Sequence, residues 1–585
     1  MHIGTPSLRK ISAMLILVML FTATVQSQKY NQTDSLKKHI YYLASDELTG
    51  RKPGTPGIEK AAAYISQQFK EIGLKSFNGS YFQPFKLLMG ASLGNTNTLQ
   101  ADGKTLKLGT DFIPSEISGN GKASGKVVFI GYGMDKNMGK ASFEGIDVKG
   151  KWVIVVRGSI DPADKSARAM LTGDYSKAMT AADKGALGVL FVNPAWNKDD
   201  AITLKTMFSR SMGNVNIPVI QITPKVALSL INKKADFLDK FPIDNEPASF
   251  ETNKSVTAET SFELQYQTTN NIVGYIEGSD PKLKAEYIVV GGHYDHLGMG
   301  GQGSGSRKPD TIAIHHGADD NASGAAGVIE MARRIMADKN SFGRSFIFID
   351  FSAEELGLIG SQYYVSNPTV PMASIKGMIN LDMVGRLKDE LTIEGTGSSA
   401  ESDSILNILG KGRSFKVTSS AGASGGSDHT SFYNKGVPVF FFFSGMHYDY
   451  HTPSDTPDKI NYSGEAAILD MAFDLAKIMG TSKPFTYKQV ANQMATGTRT
   501  YKISLGIMPD VSGSRNDGVE VMDARKGGPA EQAGIKKGDF IISVEGKEVN
   551  NITEYMSRLN LLKKGEKANV GIRRNGEKIV IVVQL

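Results

Sequence analysis

From about residue 260 onward, apolar runs of strand length alternate with amphipathic helical stretches. Each run ends in a short segment holding a histidine or a carboxylate beside glycine or another small residue. Tyr287-Ile288-Val289-Val290 leads to G-G-H-Y-D-H (291–296), and the helical pattern 325–336 follows G-A-D-D-N-A-S-G (317–324). Phe346-Ile347-Phe348-Ile349 leads to S-A-E-E-L-G (352–357), Met378-Ile379-Asn380-Leu381 to N-L-D-M-V-G (380–385), and the run 437–443 toward Y-H-T-P-S-D-T (450–456). This rhythm predicts a mainly parallel α/β sheet flanked by helices. It also places the polar segments beyond the carboxyl ends of strands, where open α/β sheets bind their ligands.

The rest of the chain reads as additional units, since 585 residues exceed one hydrophobic core. A helix through His39–Leu43 can be capped by Thr33 or Asp34, and Ile58, Ala61, Ala62, Ile65, Phe69 and Ile72 keep helical spacing up to Gly73. From about residue 90 the texture changes to strands with glycine turns, including 127–130, 152–156, 189–192 and 217–220. The stretch 482–499 is polar and without period, and a small glycine-punctuated unit fills 500–585. At the N-terminus, Arg9 and Lys10 precede an apolar stretch over 11–23, and Val25-Gln26-Ser27 offers a cleavage site before Gln28. We read 1–27 as a secretory signal, because the apolar stretch is shorter than the ~20 residues of a spanning helix. The protein is therefore expected to be periplasmic or secreted, with no membrane anchor after cleavage.

Composition narrows the chemistry. The formal charge of +6 is small for this length and gives no reason to expect nucleic acid as a partner. There is no cysteine, so any metal must be held by His, Asp or Glu. Two ions ~3.5–4 Å apart need a bridging carboxylate and terminal ligands on either side. Asp319 is the expected bridge, with His293 and Asp382 completing one ion and Glu355 and His451 the other. Nitrogen and oxygen donors suit two Zn2+, with cobalt or manganese as substitutes. Glu354, beside Glu355, is the expected general base. Asp295 is placed to orient His293, and Tyr450 to hydrogen-bond an oxyanion. His296, His315, His316 and His429 read as loop or supporting residues.

These segments resemble the co-catalytic di-zinc aminopeptidases (peptidase family 28, leucyl aminopeptidase-like), to which glutamate carboxypeptidase and glutaminyl cyclase are related. Tyr42-Leu43-Ala44-Ser45-Asp46, Gly50-Arg51 and Gly54-Thr55-Pro56-Gly57 resemble the family's N-terminal region. The resemblance implies a zinc-peptidase fold in two parts, 28–89 and 256–481. It implies the same metal set, Glu354 as base, Asp295 as supporting aspartate, and a cis peptide at Asp319–Asp320. Residues 90–255, through Asp147-Val148-Lys149-Gly150-Lys151 and 184–189, resemble an inserted, β-rich protease-associated (PA) domain. Residues 500–585 resemble a PDZ domain, with Ser504-Leu505-Gly506-Ile507 as a loop for a peptide C-terminus. The implied activity is hydrolysis at peptide or protein N-termini. A carboxypeptidase would need a guanidinium such as Arg386 in the cleft, a glutaminyl cyclase one zinc, and a non-catalytic peptide-binding protein no base at all. The glycine-rich stretch 298–306 departs from the pattern and reads as a mobile loop near the cleft.

Overall fold

The computed structural model describes residues 31–134, 142–157, 173–193, 215–234, 236–239, 249–481, 483–490, 503–509, 517–525, 527–559 and 561–585. The signal segment and most of the 482–499 linker lie outside these residues.

Three sheets organise the described residues. The largest has nine strands. Its centre is parallel: Tyr287–His293 lies between Ser345–Phe351 and Ile375–Leu381, and Val439–Phe443 pairs with the last of these. Ser345–Phe351 is buried along its whole length, as a central strand covered on both faces must be. The edges are mixed. Phe262–Ile276 runs antiparallel to Ser345–Phe351, and Glu390–Glu394 antiparallel to Val439–Phe443. The expected α/β sheet flanked by helices is thus present, parallel at its centre and mixed overall because its margins pair antiparallel.

Helices pack on this sheet through apolar stripes. Pro56–Ile72 has proline in its first turn and Gly73 at φ +90° closing it, and it buries Ile58, Ala61, Ala62, Ile65 and Phe69. The first helix, Gln32–Leu43, is capped one turn earlier than expected: the Asn31 side chain accepts from the Thr33 N–H. Gly324–Ala337 is buried on most of its circumference and fixes the 317–324 loop against the sheet.

The second sheet has eight strands, of which Gly121–Phe129, Trp152–Val156, Gly188–Val192 and Val219–Ile222 are consecutively parallel. The changeover between sheets falls at Gly94 and Ser261, each a few residues later in the chain than the boundaries read from the sequence at 90 and 255. Phe82–Leu93 still pairs with Phe262–Ile276, and Phe250–Thr260 belongs to the second sheet. Gly94 N–H donates to Ser261 O (2.8 Å), and the Asn97 amide clasps both segments. One face of the Phe82–Leu93 strand packs Phe85 and Leu87 against Ala353, directly beneath the Glu354-Glu355 pair.

The third sheet, with the helix Ile552–Leu559, has its own core around Leu505, Val521, Ile541, Tyr555 and Val570. It docks on the second unit: Arg558 and Lys547 pair with Asp183, and the Tyr175 hydroxyl meets Glu554 at 3.5 Å. Among the described residues no helix is long and apolar enough to cross a membrane.

Candidate metal centre

Every predicted site segment in 291–456 reaches one place, the carboxyl ends of the parallel strands. His293 closes Tyr287–His293 and is fully buried. Its Nε2 lies 3.4 Å from Asp320 Oδ1, 3.5 Å from Asp382 Oδ1 and 3.8 Å from Glu354 Oε2. A second group forms on the other side of Asp320. His451 Nε2 is 3.1 Å from both Asp320 Oδ2 and Glu355 Oε2, and His296 Nδ1 is 2.7 Å from Glu355 Oε1.

Two features differ from the sequence reading. The shared carboxylate is Asp320, which belongs to both the His293–Asp382 group and the His296–Glu355 group. Asp319 faces away: its Oδ1 accepts the Gly385 N–H (2.6 Å) and its Oδ2 lies 3.0 Å from His447 Nε2. The cause is local backbone geometry. Gly317 has φ +56°, and a Cβ there would meet Asp320 O at 2.2 Å and the His296 ring at 2.6 Å. The Asp319 and Asp320 N–H groups both donate to Asp455 Oδ2, which fixes the loop and throws the two side chains to opposite sides. The cis peptide is correspondingly Asp320–Asn321, not Asp319–Asp320.

His296 is the second difference. Read as a loop or supporting residue, it sits buried within the second group itself, three residues after His293. That spacing within G-G-H-Y-D-H was the available signal. His315 and His429 are buried outside both groups, and His316 bonds Asp46 at the rim.

The supporting groups hold the loops in register. Asp295 accepts the Glu354 N–H (3.0 Å) and the Glu355 N–H (3.4 Å), while its Oδ1 lies 3.7 Å from His293 Nδ1. It therefore ties the imidazole to the Glu354-Glu355 turn. Ala353, Met383 and His451, each adjacent to or part of the site, have left-handed backbone at φ +61°, +54° and +55°. Such conformations persist where surrounding bonds over-determine them. Arg51, fully buried, donates to the carbonyls of Leu43, Tyr294 (2.8 Å), His316 (2.7 Å) and Gly317 (2.9 Å). It staples the N-terminal helix to both metal-site loops. Arg386 is committed to Asp455 (3.0 Å) and Asp449 (3.4 Å).

Burial and charge push the two neighbouring glutamates apart. Burial raises the Glu354 carboxyl well above its ordinary range, opposed by His293 and reinforced by Glu355, Asp428 and Asp382. Burial also acts on Glu355, but its bonds to His296 and His451 bring it below the usual carboxylate value. Burial and nearby carboxylates push the Tyr450 phenol up, so it stays a neutral O–H donor; its ring stacks on His451 at 3.8 Å. Divalent cations fit this donor set. Asp320, Glu355 and Asp382 converge with less than a tenth of each side chain or little more exposed, a costly crowd of like charge unless cations share it. His293 Nε2 has no hydrogen-bond partner although it is aimed at that crowd.

In the C-terminal unit, the Ser504–Ile507 loop is in place. Leu505 is buried, Gly506 has φ +74°, and the Gly506 N–H is taken by Ser504 Oγ at 3.1 Å.

An α/β sheet carrying buried imidazoles and carboxylates at its carboxyl edge defines the class: a metal-dependent hydrolase. Comparison with known sequences specifies it. The sequence model of Peptidase family M28 matches residues 271–476, that of the PA domain 117–230 and that of the PDZ domain 504–585. The chain is thus similar to peptidase family M28 over residues 271–476, with matches to a PA domain and a PDZ domain beside that unit.

Aminopeptidase YwaD of Bacillus subtilis (strain 168) is 25% identical over 482 residues, covering 77% of this chain and 87% of that protein. Leupeptin-inactivating enzyme 1 of Streptomyces exfoliatus is 29% identical over 210 residues, 36% of this chain; the match spans 43% of that relative's length. A glutamate carboxypeptidase 2 homolog of Caenorhabditis elegans is 23% identical over 76% of this chain and 68% of its own. Among solved structures, the aminopeptidase from Aneurinibacillus sp. strain AM-1 overlaps with a TM-score of 0.44 at 22% identity, covering 78% of this chain and 96% of that one.

Proposed function

We propose that this protein is an exported aminopeptidase that uses two zinc ions to hydrolyse N-terminal peptide bonds of peptides or proteins. The observation that carries the reading is the sharing of Asp320 by two ligand groups, with Glu354 beside one of them. His293 and Asp382 would hold one ion, and Glu355 with His451 the other, across Asp320. Ions held there supply Lewis acidity toward the scissile carbonyl. Glu354 is largely buried, and burial raises its carboxyl well above the ordinary carboxylate range, which favours proton uptake by this group. It takes a proton from the attacking water and returns it to the departing amine nitrogen. The Tyr450 O–H donates to the oxygen that gains charge as the carbonyl is attacked. Asp295 keeps Glu354 and His293 in register.

The names of the Bacillus and Streptomyces relatives support a peptidase acting on peptide substrates. The carboxypeptidase reading loses its candidate grip, because the Arg386 guanidinium is engaged by Asp455 and Asp449. Export rests on the 1–27 segment. The PDZ loop is proposed to hold a peptide C-terminus, which would recruit substrates or partners to the chain.

The test is a panel of free and N-blocked peptides, with and without chelator. Chelator-sensitive release of N-terminal residues from free peptides alone supports the proposal. Cleavage of blocked peptides would replace it with a carboxypeptidase or endopeptidase.

A further inference from the structure

The glycine-rich stretch after His296 is folded against the metal centre. It forms a hairpin whose base is the bridge between Gly300 and Ile312. Below that bridge, the His315 N–H donates to Gly298 O (2.8 Å) and the Gly298 N–H to Gly50 O (2.9 Å). The His315 ring, fully buried, lies inside the hairpin. Its Nδ1 faces Ala313 O at 3.0 Å, which leaves Nε2 to accept from the Ser306 hydroxyl at 2.8 Å.

The far end of the hairpin makes three contacts with His451, one of them from Ser306 Oγ, 3.5 Å from His451 O. Gly305 O lies 3.0 Å from His451 Nδ1, and the Arg307 N–H donates to His451 O at 3.0 Å. Gly305 has φ +88° and His451 has φ +55°. The first is a conformation that turns a glycine carbonyl toward the ring, and the second is one that a histidine holds only when its surroundings enforce it.

We propose that the 298–313 hairpin is a positioning element for His451: the Gly305 carbonyl accepts the Nδ1–H and so aims Nε2 at the Asp320–Glu355 pair. An imidazole that ligates through one nitrogen is oriented by the bond its other nitrogen makes. Here that acceptor is a main-chain carbonyl supplied by the glycine-rich hairpin, and His315 with Ser306 sets its place. The inference rests on the two-ion reading of the site, since the ion beside Glu355 is the one His451 would serve.

The test is a deletion of 302–310. It leaves Gly301-Thr311 as a two-residue turn between the bridged Gly300 and Ile312, with glycine in the position a tight hairpin turn requires. Chelator competition should show one zinc bound about ten- to a hundredfold more weakly, the range typical for loss of an orienting partner, and the other unchanged. In zinc-free, 15N-histidine-labelled protein, the His451 Nδ1–H resonance, assigned by its absence in His451→Asn, should be protected from exchange in the parent and lose that protection in the deletion. Ser306→Ala should move both readouts in the same direction by a smaller amount, and it serves should the deletion fail to fold. Unchanged zinc affinities together with an unchanged Nδ1–H overturn the inference. A parent protein that binds fewer than two zinc ions overturns the two-ion reading instead, and the Nδ1–H protection still decides the role of the hairpin.

Discussion

Asp319 and Asp320 are neighbours in the chain and face opposite ways: Asp320 meets His293 and His451, while Asp319 meets Gly385 and His447. Both hang from Asp455 through their N–H groups. On the proposed two-ion reading, Asp320→Asn should abolish tight binding of both ions and most of the turnover, since a shared carboxylate serves each side of a two-metal site. Asp319→Asn should retain both ions and lose far less activity. Elemental analysis of the two purified variants checks this. Loss of zinc in Asp319→Asn with retention in Asp320→Asn reverses the assignment.

Glu354 approaches His293 at 3.8 Å, whereas Glu355 is bonded to both His296 and His451. Glu354→Gln should lower kcat by about 10²–10⁴, the usual contribution of a general base, with zinc content preserved. Glu355→Gln should lower zinc content itself. Parallel activity and metal measurements separate the two roles.

Arg51 satisfies four carbonyl oxygens from three segments while fully buried. Arg51→Met leaves those acceptors without donors, at about 1–3 kcal/mol for each buried group left unpaired. Thermal unfolding of the peptidase unit should shift down clearly, and zinc binding should weaken with it because Tyr294 and Gly317 flank the ligands. Arg51→Lys restores charge but not the fork of donors, and it should recover only part of the loss.

His429 is buried against Phe441, and burial pulls its pKa down to about 3 from the ordinary 6.5. The folded state thus favours the neutral ring. Its contribution to stability is complete above about pH 6.5 and is lost progressively as pH falls toward 3, by about 1.4 kcal/mol per pH unit inside that window. His429→Gln should flatten the decline of urea stability between pH 7 and pH 5. Equal slopes for parent and variant would remove His429 as the cause.

The chemistry was legible because strand-length apolar runs each ended in a candidate ligand, which is a pattern of sequence order and periodicity. The choice between Asp319 and Asp320 was not, since it depends on the left-handed Gly317 and on bonds from a loop more than a hundred residues away. Arg51 stood out only through its Gly-Arg context; its acceptors come from positions 43, 294, 316 and 317, and no local pattern brings those together. His296 reads from sequence as a loop or supporting residue, and its contact with Glu355 depends on the fold that brings 296 and 355 together. The 298–306 stretch was read from its glycines as mobile, but the side chain that organises it is His315. The antiparallel margin made by Phe82–Leu93 and Phe262–Ile276 likewise lies where the second unit is inserted, a feature that the alternation of strands and helices does not give.

The most direct measurement is an anomalous difference map at the zinc edge from crystals of the zinc-loaded protein. The account predicts two peaks about 3.5–4 Å apart, the spacing of two-metal sites, on either side of the Asp320 carboxylate, one beside His293 and Asp382 and the other beside Glu355 and His451. A single peak, or a pair centred on Asp319 and His447, would contradict it.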